Sequence, residues 1–198
     1  MLHVQPQIND LASFMQTEVY ASLDETTKAA LVRKKVELCG RYFLEIASNL
    51  NRNKYKGCYA PHKAVMIMAV MELVRSGHIA SNVILLDKEL KEHFKDVWQR
   101  VVPAGSPFNC DYRNPFIYMA SEPFWDSSND KDKAIISWEA FYAFSHEESR
   151  LVIQDFLVCS IHDDTIGEEY RNNHPCIDWL VAEDMIAFAP FLGVFLAI

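Results

Sequence analysis

"APHKAVMIMAVMELVRSG", Ala60–Gly77, is the stretch that decides the fold. From Ala64 to Met71 no residue is polar, so a helix through it has no face to give to water and belongs at the centre of a core. Pro61 suits the first turn, where its missing N–H would find no partner anyway. Gly77 is a natural stop. Yet the front of this buried helix carries His62 and Lys63. The free N–H groups at a helix N-terminus attract anions, and a cation there is unfavourable unless an anion joins it. Two readings follow. Lys63, His62 and the basic loop before them form a phosphate seat, or Lys63 reaches solvent or an acid while His62 packs.

Working outward, residues 1–27 are mixed in polarity, with one short helix expected near Ile8 to Tyr20. A long helix follows, about Thr26 to Asn51. Its apolar positions Val32, Val36, Cys39, Phe43, Ile46 and Leu50 step by 4, 3, 4, 3 and 4, a single helical stripe. "NRNKYKGCY" (51–59) reads as a basic loop with two tyrosines. Beyond Gly77, "ILLDKELKEHFKDVWQRVV" predicts a strand or turn, then a helix capped by Asp87. Leu90, Phe94, Val97, Trp98 and Val101 form its buried stripe. From Pro103 to Pro123 the chain turns rich in Pro and aromatics. Phe116 to Ala120 reads as a short strand, and Pro123-Phe124-Trp125 leads into another. "SSNDKDK" is a surface loop and "AIISW" a strand. Ser145 and Glu148 are placed as a capping box for a helix to about Ile161, with Ile153, Phe156 and Leu157 among its apolar members. Residues 162–198 read as loop, a short helix at Trp179 and an apolar tail. The fold class expected is α+β: a mostly helical single domain with a small sheet from the middle of the chain.

The chain has 198 residues, half of them hydrophobic, enough for one domain with a sizeable core. The N-terminus lacks the basic start and apolar run of a secretory signal. The tail "MIAFAPFLGVFLAI", Met185–Ile198, is uncharged but short for a membrane span and contains Pro190 and Gly193. It reads as a terminus that packs on the core, or as the cut end of something longer. The cysteines at 39, 58, 110, 159 and 176 are odd in number and scattered, which fits reduced thiols in a cytoplasm. Net charge is −8, but it is unevenly spread. From Lys28 to Lys63 nine Lys or Arg face two Glu, a local charge of +7. From Ser121 to Ile198 four Lys or Arg face fifteen Asp or Glu, a local charge of −11. One face could then meet polyanions, or the two halves neutralise each other in the fold.

Motifs for chemistry are weak. Cys159-x-x-His162 has usable zinc spacing, but His174-x-Cys176 is too tight for a usual finger, so no metal is expected. Neither the paired Cys-x-x-Cys frame nor the His-His core of an HNH nuclease is present. Glu89-Leu90-Lys91 reads as a solvated helix face. His162-Asp163-Asp164 is similar to a phosphohydrolase doublet, or simply solvates a helix end. Six glycines are dispersed and none builds a phosphate loop, so no cofactor is indicated. Binding remains. His62, Lys63, Lys54 and Lys56 are candidates for phosphate. Tyr112, Arg113 and Asn114 lie in a Pro-flanked loop; Arg and Asn read base edges and Tyr stacks on bases. Their plain alternative is an ordinary turn before a strand.

"APHKAVMIMAVMELVRSGHI", "ELKEHFKDVW", "NPFIYMASEPFW" and "SRLVIQDFLV" follow one another in order. This run resembles the sulfur-binding domain of modification-dependent restriction endonucleases, which recognises phosphorothioate DNA while a separate HNH domain cuts it. The resemblance covers about Leu31 to Ile161. It implies that His62 and Lys63 sit at the DNA-facing end of the core helix and that Arg113 and Asn114 belong to a recognition loop. Where the family places an aromatic-Pro pair lining a sulfur pocket, this chain reads Ile161-His162-Asp163, with His174-Pro175 as a candidate substitute wall. The expected organisation is an extension (1–30), a sulfur-binding-like domain (31–161) and a C-terminal segment packed on it (162–198). The expected function is a non-catalytic, cytoplasmic DNA-binding module with no membrane partner. Two alternatives stand beside it. One is an interaction subunit that recruits a separate nuclease, suggested by the acidic C-terminal third and the apolar tail. The other is a metal-dependent hydrolase using His162, Asp163 and Asp164.

Overall fold

The computed structural model describes residues 5–127 and 130–162. In chain order they form α1 (Gln5–Phe14), α2 (Glu18–Ala21), α3 (Glu25–Ala47), β1 (Lys54–Tyr55), β2 (Cys58–Tyr59), α4 (His62–Arg75) and β3 (Val83–Leu85). Then come α5 (Lys88–Val101), α6 (Arg113–Tyr118), β4 (Trp125–Asp126), β5 (Lys133–Ile136), α7 (Trp138–Ser145) and α8 (Glu147–His162). The class is α+β, with helices around a small antiparallel sheet from the middle of the chain, as the sequence indicates.

Eleven of the fourteen residues of α4 are buried, because its sequence leaves no side for water. The helix is packed against α5, α6, α7 and α8. Its stop is Gly77, whose φ of +80° is left-handed backbone that suits glycine. Asp24 caps α3 by accepting from the Thr27 N–H at 3.0 Å. The α3 stripe is buried at Val36, Cys39, Phe43 and Ile46 and half-buried at Val32; the helix ends at Ala47 rather than Asn51, and Leu50 lies half-buried beyond it. Leu38 and Tyr42 are buried as well, because α3 is covered by α1, α7 and α8 together. Gly40 permits the closest approach: a Cβ placed there would stand 3.1 Å from the Ser149 Cβ on α8. Phe43 packs edge-on against Phe124 at 4.8 Å and Phe144 at 4.7 Å between ring centroids. On α5, Asp87 accepts from the Leu90 N–H at 2.9 Å, and Leu90, Phe94 and Val97 are buried. Trp98 and Val101 pack half-buried on the same core.

The sheet has the order β3-β5-β4, with Ile84 opposite Ala134 and Trp125 opposite Ile136. These four residues face the core. The alternate face carries Leu85 and Ile135, both exposed.

Several elements differ from the sequence expectation. The early helix breaks at Met15–Thr17, where Thr17 starts α2 by accepting from the Tyr20 N–H. The basic loop contains the β1–β2 hairpin. Its turn residues Lys56 (φ 50°) and Gly57 (φ 84°) both take positive φ, as a two-residue hairpin turn requires. Phe116 to Ala120 is not a strand. It belongs to α6 and a following 3-10 turn, Met119–Ser121, with Phe116 and Met119 buried three residues apart on one face. "AIISW" divides: β5 ends at Ile136, and Ser137 caps the unanticipated α7 by accepting from the Ala140 N–H at 3.2 Å. Ser145 forms no capping box, because its hydroxyl donates to the Phe141 carbonyl inside α7. The α7–α8 corner is held instead by Ser149, donating to the Ala143 carbonyl, and by the buried Arg150, donating to the Phe144 carbonyl at 3.0 Å.

Ile8 of α1 lies in the common core, and the boundary drawn between residues 30 and 31 falls inside α3. Among the described residues no helix is long and apolar enough to cross a membrane. The Trp179 helix and the apolar tail lie outside the described residues.

Candidate functional site

A cleft of about 510 Å3 opens beside the first turn of α4. One wall is the foot of the hairpin, Asn51, Arg52, Asn53 and Ala60, continuing into His62 and Lys63. The other wall comes from Phe108 and Asp111, then Asn114, Pro115 and Tyr118 of α6, with Ser121 beyond them. Three of the residues singled out in the sequence, His62, Lys63 and Asn114, therefore share one concavity.

Lys63 is buried and paired. Its ammonium donates to the Glu122 carboxylate and, at 2.8 Å, to the Ser121 hydroxyl. Glu122 is only 6% exposed and also accepts the Asn51 N–H at 3.2 Å. Burial makes such pairing obligatory, since a lone buried charge costs several kcal/mol (roughly 3–5). The Lys63–Glu122 pair is thus nearly neutral as seen from the cleft. Two of the three ammonium donors are used by these partners.

His62 packs and bonds at once. Its Nε2–H donates to the Asn109 carbonyl at 2.8 Å, and its ring lies 4.8 Å from Trp98 and 5.8 Å from Phe108. Burial holds its pKa below the ordinary 6.5, opposed by the Asn109 hydrogen bond and the Asp111 charge. Between the folded and unfolded pKa values the unfolded chain binds more protons, so stability rises with pH there. The contribution is full above about pH 6.5 and is lost as pH falls below it. Melting curves from pH 7.5 to 5 should show this loss in the wild type and a flatter profile in His62→Gln. Parallel profiles would remove His62 as the source.

The Tyr112-Arg113-Asn114 group is not a loop before a strand; Arg113 and Asn114 start α6. Asp111 caps them, its carboxylate accepting from the Arg113 N–H at 3.0 Å and the Asn114 N–H at 3.3 Å. The Asn114 side-chain amine donates to Asp111 as well, at 2.5 Å. Of the three, only Asn114 lines the cleft. Tyr112 packs on the core beneath the Lys91 ammonium, and Arg113 pairs with Asp132 at 3.3 Å on the surface.

The hairpin rises from the cleft's rim. The Lys54 ammonium stands 4.6 Å over the Tyr59 ring and that of Lys56 5.4 Å over Tyr55. Arg52 stacks on Tyr59 at 5.1 Å and donates to the Ser160 carbonyl at 2.9 Å, tying the last turn of α8 to the rim. Ile161 packs half-buried there and His162 is exposed; neither lines the cleft. On α3 three of the cations are met locally, in Lys28–Glu25, Lys34–Glu37 and Arg41–Glu37 pairs.

Compared with protein-family models and with curated proteins, the chain matches none.

The site therefore rests on its own geometry. Among the described residues no group of three or more His, Cys, Asp or Glu is placed to hold a metal ion. Asp163, Asp164, His174, Pro175 and Cys176 lie outside the described residues. Sequence reasoning did not single out Asn51, Asn53, Phe108, Tyr118 or Glu122. For Glu122 a signal existed: a lysine at the head of a wholly apolar helix needs a counter-ion, and Glu122 is one of the two acids, with Asp111, inside the Pro-aromatic run.

Proposed function

We propose that this chain is a non-catalytic DNA-binding module of the kind that recognises phosphorothioate DNA. Backbone phosphates are met by Lys54 and Lys56, and the modified backbone is read at the rim of the cleft. One observation carries the reading: a hairpin bearing Lys54, Tyr55, Lys56 and Tyr59 rises from the rim of a cleft lined by His62, Lys63 and Asn114. A two-stranded ribbon fits a major groove, and cations beside aromatic rings suit nucleic acid.

The test is fluorescence anisotropy on two matched duplexes, one with a phosphorothioate linkage, over a salt series. Tighter binding of the sulfur-containing duplex is expected. Log affinity should fall linearly with log salt, and Lys54→Glu/Lys56→Glu should flatten that slope by about 0.9 for each phosphate no longer neutralised. Equal, salt-steep binding would leave a general phosphate binder.

Absence of binding to either duplex favours the second reading, an interaction subunit that recruits a nuclease. Its supporting observation is the exposed apolar set Leu85, Ile135 and Trp138, the last 64% exposed.

A further inference from the structure

We infer that the cleft takes one unpaired nucleobase of a nucleic-acid strand while the hairpin holds its flanking phosphates. The inference rests on the nucleic-acid reading above and names what enters the cleft.

Charge decides what belongs inside. Lys63 is compensated by Glu122 beneath it, and Arg52 shares the lining with Asp111. A phosphate pushed into the cleft would meet the Asp111 carboxylate, while the Arg52 guanidinium on the same lining already donates to the Ser160 carbonyl, so the lining offers no excess of cation to repay its desolvation. The cations of the hairpin, Lys54 and Lys56, stand outside on the rim. Phosphate therefore stays out, and a neutral, polar, flat group goes in.

The lining suits such a group. The volume, about 510 Å3, lies within the range of ligand pockets. Asn51 and Asn53 line it, and among the described residues their side chains make no hydrogen bond. An amide presents a donor and an acceptor in one plane, the arrangement that reads a base edge. Two aromatic residues, Phe108 and Tyr118, share the lining. Phe108 is braced by His62 and by Tyr55, at 5.8 and 6.3 Å, and Tyr118 is 63% exposed. Base–aromatic stacking contributes about 1–3 kcal/mol per base. Taking a base out of a duplex costs a few kcal/mol, least where it is already unpaired.

The test compares a fully paired duplex with the same duplex carrying one bulged 2-aminopurine, by anisotropy and by 2-aminopurine emission. The bulged duplex should bind at least tenfold more tightly, and its emission should change on binding. Asn51→Ala/Asn53→Ala, both on exposed positions, should bring the ratio of affinities close to one; Tyr118→Ala should weaken the emission change. Equal affinities with unchanged emission would overturn the inference and leave DNA binding standing. Absence of binding to either duplex would overturn both. Displacement of the bulged duplex by millimolar deoxynucleoside monophosphate would reassign the cleft to free nucleotides and overturn the strand-borne reading.

Discussion

Replacing Glu122 by alanine is expected to lower the melting temperature by roughly 6–20 °C. The carboxylate neutralises Lys63, and both side chains are almost wholly removed from water. Truncating one member strands the other charge in the interior, which costs about 3–5 kcal/mol. The Asn51 N–H is deprived of its acceptor in the same step. The double variant Lys63→Met/Glu122→Leu should recover most of that stability, because well-packed apolar side chains replace a buried ion pair at little or no cost. These two melts separate a structural pair from a phosphate seat. If Lys63 were free to meet phosphate, Glu122→Ala would melt like the wild type and bind DNA more tightly. A near-normal melt would show that the pair is not buried in solution.

The central helix was legible because burial on all sides leaves a plain mark: eight successive residues without a polar side chain. The α5 helix was legible for the opposite reason, since its half-solvated surface shows a sharp apolar stripe behind the Asp87 cap. Failure came where aromatic residues speak for strands. "NPFIY" carries Phe, Ile and Tyr, all favoured in strands, yet the Asp111 cap and the 3-10 turn after it make the segment helical. Pro115 is tolerated there because the first-turn N–H it lacks has no helical partner. "WEAFYAFS" failed similarly. Its buried set Ala140, Ala143 and Phe144 has helical spacing, but two of the three are alanines, which carry little hydrophobic signal. The Ser145 box failed because the corner is closed from the other side, by Ser149 and Arg150.

The candidate site was half legible. His62 and Lys63 stood out because a cation and an imidazole at the head of an apolar helix require a reason. Their partners did not, since Asn109 and Glu122 lie 47 and 59 residues away and only the fold brings them near. Charge counting misled in one respect. The +7 segment is real as composition, but on α3 Lys28, Lys34 and Arg41 meet Glu25 and Glu37 one turn away, and helix pairs of that spacing contribute about 0.3–0.5 kcal/mol each. The hairpin turn was readable only as "KYKGCY", a Gly among cations.

Phe43→Ala is expected to destabilise the protein by about 3–5 kcal/mol, among the largest effects of any single truncation here. Phe43 is fully buried, and its ring touches Phe124 and Phe144 edge-on, so its removal leaves a cavity bounded by α3, α7 and the segment before β4. Close-packed interiors do not collapse freely around such a void. The effect should reach the cleft as well. Phe43 stands in the helix that leads to Asn51, and Phe124 follows two residues after Glu122. The two rings therefore join the chain segments that form one wall and the floor. Denaturant unfolding should show the midpoint shifted and the slope against denaturant unchanged. Proteolysis of the native state should then cut near Asn51–Tyr59 faster in Phe43→Ala than in Phe43→Leu, which keeps most of the volume. Equal cutting in both variants would mean that the hairpin is held independently of the Phe43–Phe124 contact.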